Sequence, residues 1–206
     1  MATDRIEERM SEQEPVASRR LAIALVHHPI VDAKQAIVTT TITNLDVHDL
    51  ARSARTFGCD GYFVVHPVAA QLALVERIRE HWTFGSSAAR IPTRKAALEL
   101  LRPVVDLAAV YAAYGGRENV CVWATAARST RPPLAFADAR RTLTEPGKPV
   151  VVLFGTGWGL PKALLDEVDG LLPPLRARDG RGDGYNHLSV RAACAMTLDR
   201  LVGEGI

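Results

Sequence analysis

Cysteine is scarce. Cys59, Cys121 and Cys194 are odd in number, far apart, and form neither a CxxC pair nor a regular framework, which excludes a disulfide scaffold and a cysteine-rich metal site. They read as reduced packing residues. Long apolar runs are missing as well. No segment approaches the roughly 18 apolar residues of a membrane span, and the amino-terminal stretch lacks the apolar core of an export signal. The expectation is a cytoplasmic protein that does not enter a membrane. Charge of one sign is absent too: 25 Lys and Arg against 23 Asp and Glu leave a net charge of +2, so any nucleic-acid footprint must be local. All but four of the cationic side chains are arginine, a residue suited to phosphate. His27, His28, His48 and His66 invite a metal reading, but adjacent His27 and His28 at a strand end point to opposite faces and no cysteine completes a site, so no metal is expected.

What remains is the composition of one globular domain: 206 residues, 48% hydrophobic and 23% charged. Residues 1–20 are polar, mixed in charge and broken by Pro15, which marks a flexible tail ahead of a single domain over 21–206. Continuous apolar blocks at 21–26 (LAIALV), 62–65 (YFVV), 120–124 (VCVWA), 150–154 (VVVLF) and 170–175 (GLLPPL) predict strands buried on both faces. Helical spacing of apolar residues predicts helices over 46–57, 68–81, 93–101, 106–114 and 187–202. Strands alternating with helices predict an α/β domain with a mainly parallel sheet.

The segment VVVLFGTGWGLP at 150–161 runs a buried strand into a glycine-rich loop, whose backbone can approach a ligand closely. Gly155, Gly157 and Gly159 are spaced GxGxG rather than GxGxxG, and no acid lies near 20 residues downstream. Gly-Lys-Ser/Thr is absent, so this is no P-loop. A nucleotide-binding oxidoreductase with a variant glycine loop stays open as an alternative. A second loop, GDGYNHLSV at 182–190, opens the last helix, with Asn186 as the predicted cap and Ser189 in its first turn.

Together these segments resemble the SPOUT class of RNA methyltransferases. The similarity is greatest to S-adenosylmethionine-dependent RNA methyltransferases related to the catalytic domain of tRNA guanine-N1 methyltransferase. The stretches that carry it are TNLDVHDLARSARTFG at 43–58, HW at 81–82, PTRKAAL at 92–98, ATAAR at 124–128, LFGTGWGL at 153–160 and YNHLSVRAA at 185–193. The resemblance implies a deep trefoil knot near the carboxyl end and a homodimer with an active site shared between subunits. It also implies an RNA substrate, tRNA or rRNA. S-adenosyl-L-methionine would sit among Thr125 and Ala126, the loop Phe154, Gly155, Thr156, Gly157, Trp158 and Gly159, and the loop Tyr185, Asn186, His187, Leu188 and Ser189. The sequence departs from the ribose methylases of this class at Asp46, His48, Gly157 and 185–189, which leaves base nitrogen or ribose 2′-hydroxyl open as the methyl acceptor.

Arg52 matches an arginine of the class's first motif. At helical spacing it shares a stripe with His48 and Arg55, away from Val47, Leu50, Ala51, Ala54 and Phe57. Always protonated, Arg52 is a poor base and suits anchoring phosphate or stabilising developing negative charge. Asp46, His48, Asp183 and His187 are the candidate bases. Arg55, with Arg176, Arg178 and Arg181 of the loop RARDGRGDG at 176–184, are candidate RNA contacts. Trp123 reads as core and Trp158 as a cofactor or dimer contact. The non-enzyme alternative is an RNA-binding protein of the same fold that has lost catalysis.

Overall fold

The computed structural model describes residues 18–129, 131–177, 181 and 183–204. The predicted tail over 1–17 and Arg178 lie outside the described residues. In chain order the first half comprises β1 (Leu21–Val26), β2 (Ile30–Val31), β3 (Ile37–Val38), α1 (Asn44–Thr56), β4 (Gly61–Val65), α2 (Ala69–Thr83), α3 (Gly85–Arg90), α4 (Pro92–Leu98) and β5 (Leu101–Val104). The second half comprises α5 (Leu107–Ala112), a 3-10 turn (Arg117–Asn119), β6 (Cys121–Ala124), α6 (Phe136–Thr144), β7 (Val150–Gly155), α7 (Lys162–Glu167), β8 (Gly170–Leu171) and α8 (Val190–Val202).

Six strands form one sheet in the order β5-β4-β1-β7-β6-β8, and every neighbouring pair is parallel. The apolar blocks are explained by layering on both faces. Leu21, Ile23 and Leu25 join Tyr62, Val64, Val150, Val152 and Phe154 under α1, α4, α6 and α8. Ala22, Ala24 and Val26 join Phe63, Val65, Val151 and Leu153 beneath α5 and α7. Each fully buried Val, Leu, Ile or Phe contributes roughly 1.5–3 kcal/mol. A one-residue slip of β7 would drive Phe154 among the small side chains of the other face, so packing fixes the register Leu21↔Val150 to Val26↔Gly155.

Four predicted strands stand nearly as written, and Trp123 is core, 2% exposed. The block at 170–175 is a strand only over Gly170–Leu171, because Pro173 and Pro174 have no N–H for the ladder. The helix predicted over 93–101 stops at Leu98, and Leu101 instead pairs with Tyr62 as the first residue of β5. This strand contains Pro103, tolerated because β5 is the sheet edge. The short ribbon β2–β3 and helices α3, α6 and α7 were not legible from periodicity. The last helix begins at Val190 and not 187. Its cap is Ser189, whose Oγ accepts from Ala192 N at 3.2 Å, so Asn186 is not the cap.

Candidate active site

The carboxyl ends of the parallel strands open on one edge of the sheet, where α/β domains form ligand crevices. The glycine loop leaves β7 there. A Cβ on Gly155 would lie 2.9 Å from Leu160 N and 3.0 Å from its Cγ, so the loop closes over a bare backbone. Gly157 (φ +56°) and Gly159 (φ +104°) adopt left-handed conformations. A side chain on Gly157 would press on Ile30 Cγ2 and Thr40 Cγ2 at 3.2 and 3.3 Å. Val31 N donates to Gly159 O at 3.0 Å, so the β2–β3 ribbon buttresses the loop from behind.

Two further segments are joined to each other beside the end of β7. Thr125, just after β6, donates through both N and Oγ1 to Leu153 O, at 3.0 and 3.1 Å. Asn186 Nδ2 donates to Ala127 O at 3.0 Å, which fastens the loop ahead of α8 to the loop after β6. The loop ahead of α8 is therefore joined to the 125–127 segment, which Thr125 in turn ties to β7 just before the glycine loop. Phe154 is buried and offers only its backbone, whereas Trp158, Tyr185 and Leu188 are exposed around the crevice. The Tyr185 and His187 rings lie 5.2 Å apart. The glycines let the loop close tightly on Leu160, Ile30 and Thr40, and its peptide groups beside the exposed Trp158 suit an adenosyl sulfonium donor recognised mainly through backbone.

A polar chain that sequence reasoning missed holds the back of the loop. Thr156 Oγ1 donates to Val26 O at 3.2 Å and also meets Thr40 Oγ1, which in turn contacts His27 Nδ1 at 3.0 Å. His66 Nε2 donates to Thr40 O at 3.0 Å and its Nδ1 accepts from Val68 N at 3.0 Å, a pattern that requires the neutral ring. Burial is the main cause that lowers both histidines, His27 to about 4, with His66 adding to the shift at His27. His27 and His66 thus serve packing and loop positioning, as their burial indicates.

Helix α1 divides the catalytic candidates. Thr43 caps it, accepting from Asp46 N at 3.2 Å while its hydroxyl donates to Asp46 Oδ2 at 2.6 Å. Asn44 is the first helical residue. Asp46 also faces Arg191 Nη1 at 3.4 Å, and Asp49 faces Arg191 Nε at 3.6 Å, so the first turn of α8 is tied to α1 beside the cofactor loops. On the other side of α1, His48 stands edge-on to Trp82, with ring centroids 5.6 Å apart. The His48 pKa is lowered, chiefly by burial and then by Arg94, with Arg52 adding. Arg52 and Arg55 are exposed and share a groove of about 300 Å³ with Arg94. Among the described residues, no hydrogen bond or ring contact joins His48 or Arg52 to the cofactor loops.

His187, Asp183, Arg176 and Arg181 are exposed, and Asp183 Oδ1 accepts from Tyr185 N at 3.0 Å. Arg191, Thr40 and Trp82–Arg94 were not assigned roles from sequence; the stretches HW and PTRKAAL were the only hint of the last pair. Among the described residues no group of three or more His, Cys, Asp or Glu is placed to hold a metal, and no helix is long and apolar enough to cross a membrane. Cys59 and Cys194 are free and buried, and burial raises both thiols, Cys59 to about 12.

The architecture is that of the SPOUT class, and solved members of that fold superimpose on it. A probable methyltransferase from Bordetella pertussis aligns with a TM-score of 0.58 at 18% identity, covering 89% of this chain and 94% of that one. The SpoU methyltransferase AviRb from Streptomyces viridochromogenes, solved with the cofactor AdoMet, aligns at 0.54 and 15% identity, covering 91% and 58%. The family is fixed by sequence. The model for SAM-dependent RNA methyltransferases matches residues 20–203, and the chain belongs to that family. A tRNA (guanine-N(1)-)-methyltransferase of Oleidesulfovibrio alaskensis is 40% identical over 190 residues, 91% of this chain, but the chain spans only 43% of that relative's length. Nothing in these likenesses supports the oxidoreductase or the inactive binder.

Proposed function

We propose that residues 21–206 act as one methyltransferase domain that moves a methyl group from S-adenosyl-L-methionine to tRNA or rRNA, at a base nitrogen or a ribose 2′-hydroxyl. The observation that supports this reading is the tight glycine loop 155–159 at the carboxyl end of β7, beside the 125–127 segment that Asn186 fastens to the loop ahead of α8. The tRNA methyltransferase relative favours tRNA, and base nitrogen, over the alternatives.

When bound, the donor supplies an electrophilic methyl group. The chain's part is alignment and charge. Thr125, Ala126, the backbone of Phe154–Gly159 and Tyr185–Ser189 orient the donor. Asp46, engaged by Arg191 and Thr43, fixes the edge of the crevice. His48 is neutral at neutral pH and can accept the acceptor's proton, while Arg52 stabilises the charge that develops there. His187 lines the donor loop.

His48 and Arg52 lie on the α1 side away from the same chain's cofactor loops, which supports an active site shared between two subunits. Leu45, Tyr185, Leu188, Met196 and Val202 are exposed apolar side chains on α1, α8 and the loop before it, and supply a surface for a homodimer. The reading includes a carboxyl-terminal trefoil knot, which the family resemblance implies, and a cytoplasmic location, supported by the free buried thiols of Cys59 and Cys194.

The experiment is calorimetry with S-adenosylhomocysteine and with NAD, followed by transfer of labelled methyl to purified tRNA and rRNA. Micromolar binding of the first ligand, none of the second, and label in one RNA are expected. Binding of NAD alone overturns the assignment, and donor binding without transfer to any RNA leaves a binder in place of an enzyme.

A further inference from the structure

Resting on the reading of an RNA substrate, we infer that the groove between α1 and α4 is an RNA-binding surface that runs on from the methyl acceptor at His48 and Arg52 and grips the phosphodiester backbone of the neighbouring nucleotides. Three arginines converge on it: Arg52 and Arg55 from α1 and Arg94 from α4, with Thr56, Thr93 and the apolar floor of Ile91 and Ala97 completing about 300 Å³ of open space. Trp82 of α2 holds the third of these cations in place. The Arg94 guanidinium carbon sits 4.4 Å from the Trp82 ring centroid, and the other side of the cluster is set by the His48 ring standing perpendicular to the same indole. A stacked guanidinium keeps its edge N–H groups free and its plane fixed, the geometry that suits bidentate contact with a phosphate.

Charge compensation by carboxylates is lacking in this cluster. Arg20, Arg79, Arg117, Arg141 and Arg191 each have a carboxylate partner. Among the described residues, Arg52, Arg55 and Arg94 have none within 4.0 Å. Three neighbouring cations left without anions repel one another, a cost that an incoming polyanion removes. Burial, then Arg94 and Arg52, hold the His48 ring towards its neutral form, against the opposing Asp49 carboxylate.

The net charge of the whole chain is only +2, so backbone affinity must come from local cationic clusters such as this one. An acidic protein segment would meet the same cations. The planar, stacked arginine and the open, single-nucleotide dimensions of the groove favour phosphate.

The test compares the full-length protein with the double variant Arg55→Gln, Arg94→Gln, sparing Arg52 because of its place in the chemistry. The probes are fluorescently labelled unmodified total tRNA, poly-L-glutamate and S-adenosylhomocysteine, with tRNA affinity followed across a salt series. Expected are a loss of tRNA affinity of about tenfold and a salt-dependence slope shallower by about 1–2, as for phosphate contacts removed, with unchanged S-adenosylhomocysteine binding. If the variant binds tRNA as the parent does, with the same salt slope, the groove is not an RNA surface although the enzyme reading survives. If the parent binds S-adenosylhomocysteine but no RNA, both readings fall together. Tighter parental binding to poly-L-glutamate than to tRNA, lost in the variant, also overturns the proposal and makes the groove a protein-docking site.

Discussion

Gly155 is the residue at which fold and chemistry share one constraint. Its missing Cβ would strike Leu160, so Gly155→Ala must push the loop outward. The expected cost is about 1–3 kcal/mol, as for overpacking. A lowered melting temperature and at least tenfold weaker S-adenosylhomocysteine binding should appear together in calorimetry. His27 carries a different prediction. Its folded pKa of about 4 lies below the ordinary value near 6.5, so an acidifying solution protonates the unfolded chain first. Stability from this group is complete above pH 6.5 and falls as pH drops towards 4, by about 3 kcal/mol. Urea unfolding at pH 7 and pH 4.5 should show that His27→Gln loses less stability between the two than the parent does. The glycines were legible in the sequence because a GxGxG run after an apolar strand has few other uses. Thr40, His66 and Arg191 were not, because each gains its role only from a partner distant in sequence, as Arg191 does from Asp46.

Elements that bury a whole face announced themselves. LAIALV and VVVLF have no polar residue to interrupt them, and they are strands at the centre of the sheet. Edge and capping elements did not: β5 contains a proline, and the two-residue strands of the β2–β3 ribbon are too short to show a period. The start of α8 was misplaced because Asn186 and Ser189 are both good caps by composition, and only the hydrogen bond from Ala192 distinguishes them. Ser189→Ala should therefore cost about 1 kcal/mol, whereas Asn186→Ala should leave helix stability nearly unchanged. Amide exchange across 186–193 separates the two: the first variant speeds exchange in the opening turn of α8, and the second loosens the contact to Ala127 without fraying the helix.

The whole molecule exposes the apolar side chains of Leu45, Tyr185, Leu188, Met196 and Val202 on α1, α8 and the 185–188 loop. Sedimentation of the full chain at micromolar concentration should give twice the mass of a single chain. Leu188→Asp, which places a charge in that surface without touching the core, should shift the population to monomer and lower methyl transfer more than donor binding. A monomeric parent would remove the shared-site arrangement. This scale was the least legible in the residues themselves: the parallel sheet follows from alternating blocks, but partner geometry came only with the family resemblance.

The position of β7 has a consequence for synthesis. This late segment lies between β1 and β6, so a growing polypeptide emerging from the ribosome displays β1 with one flank paired to β4 and the other bare until Val150 and its successors appear. Long-range parallel pairing of this kind is slow and leaves strand edges exposed. Nascent chains stalled before β7 should therefore be held by chaperones or clump, and those stalled beyond α8 should resist protease.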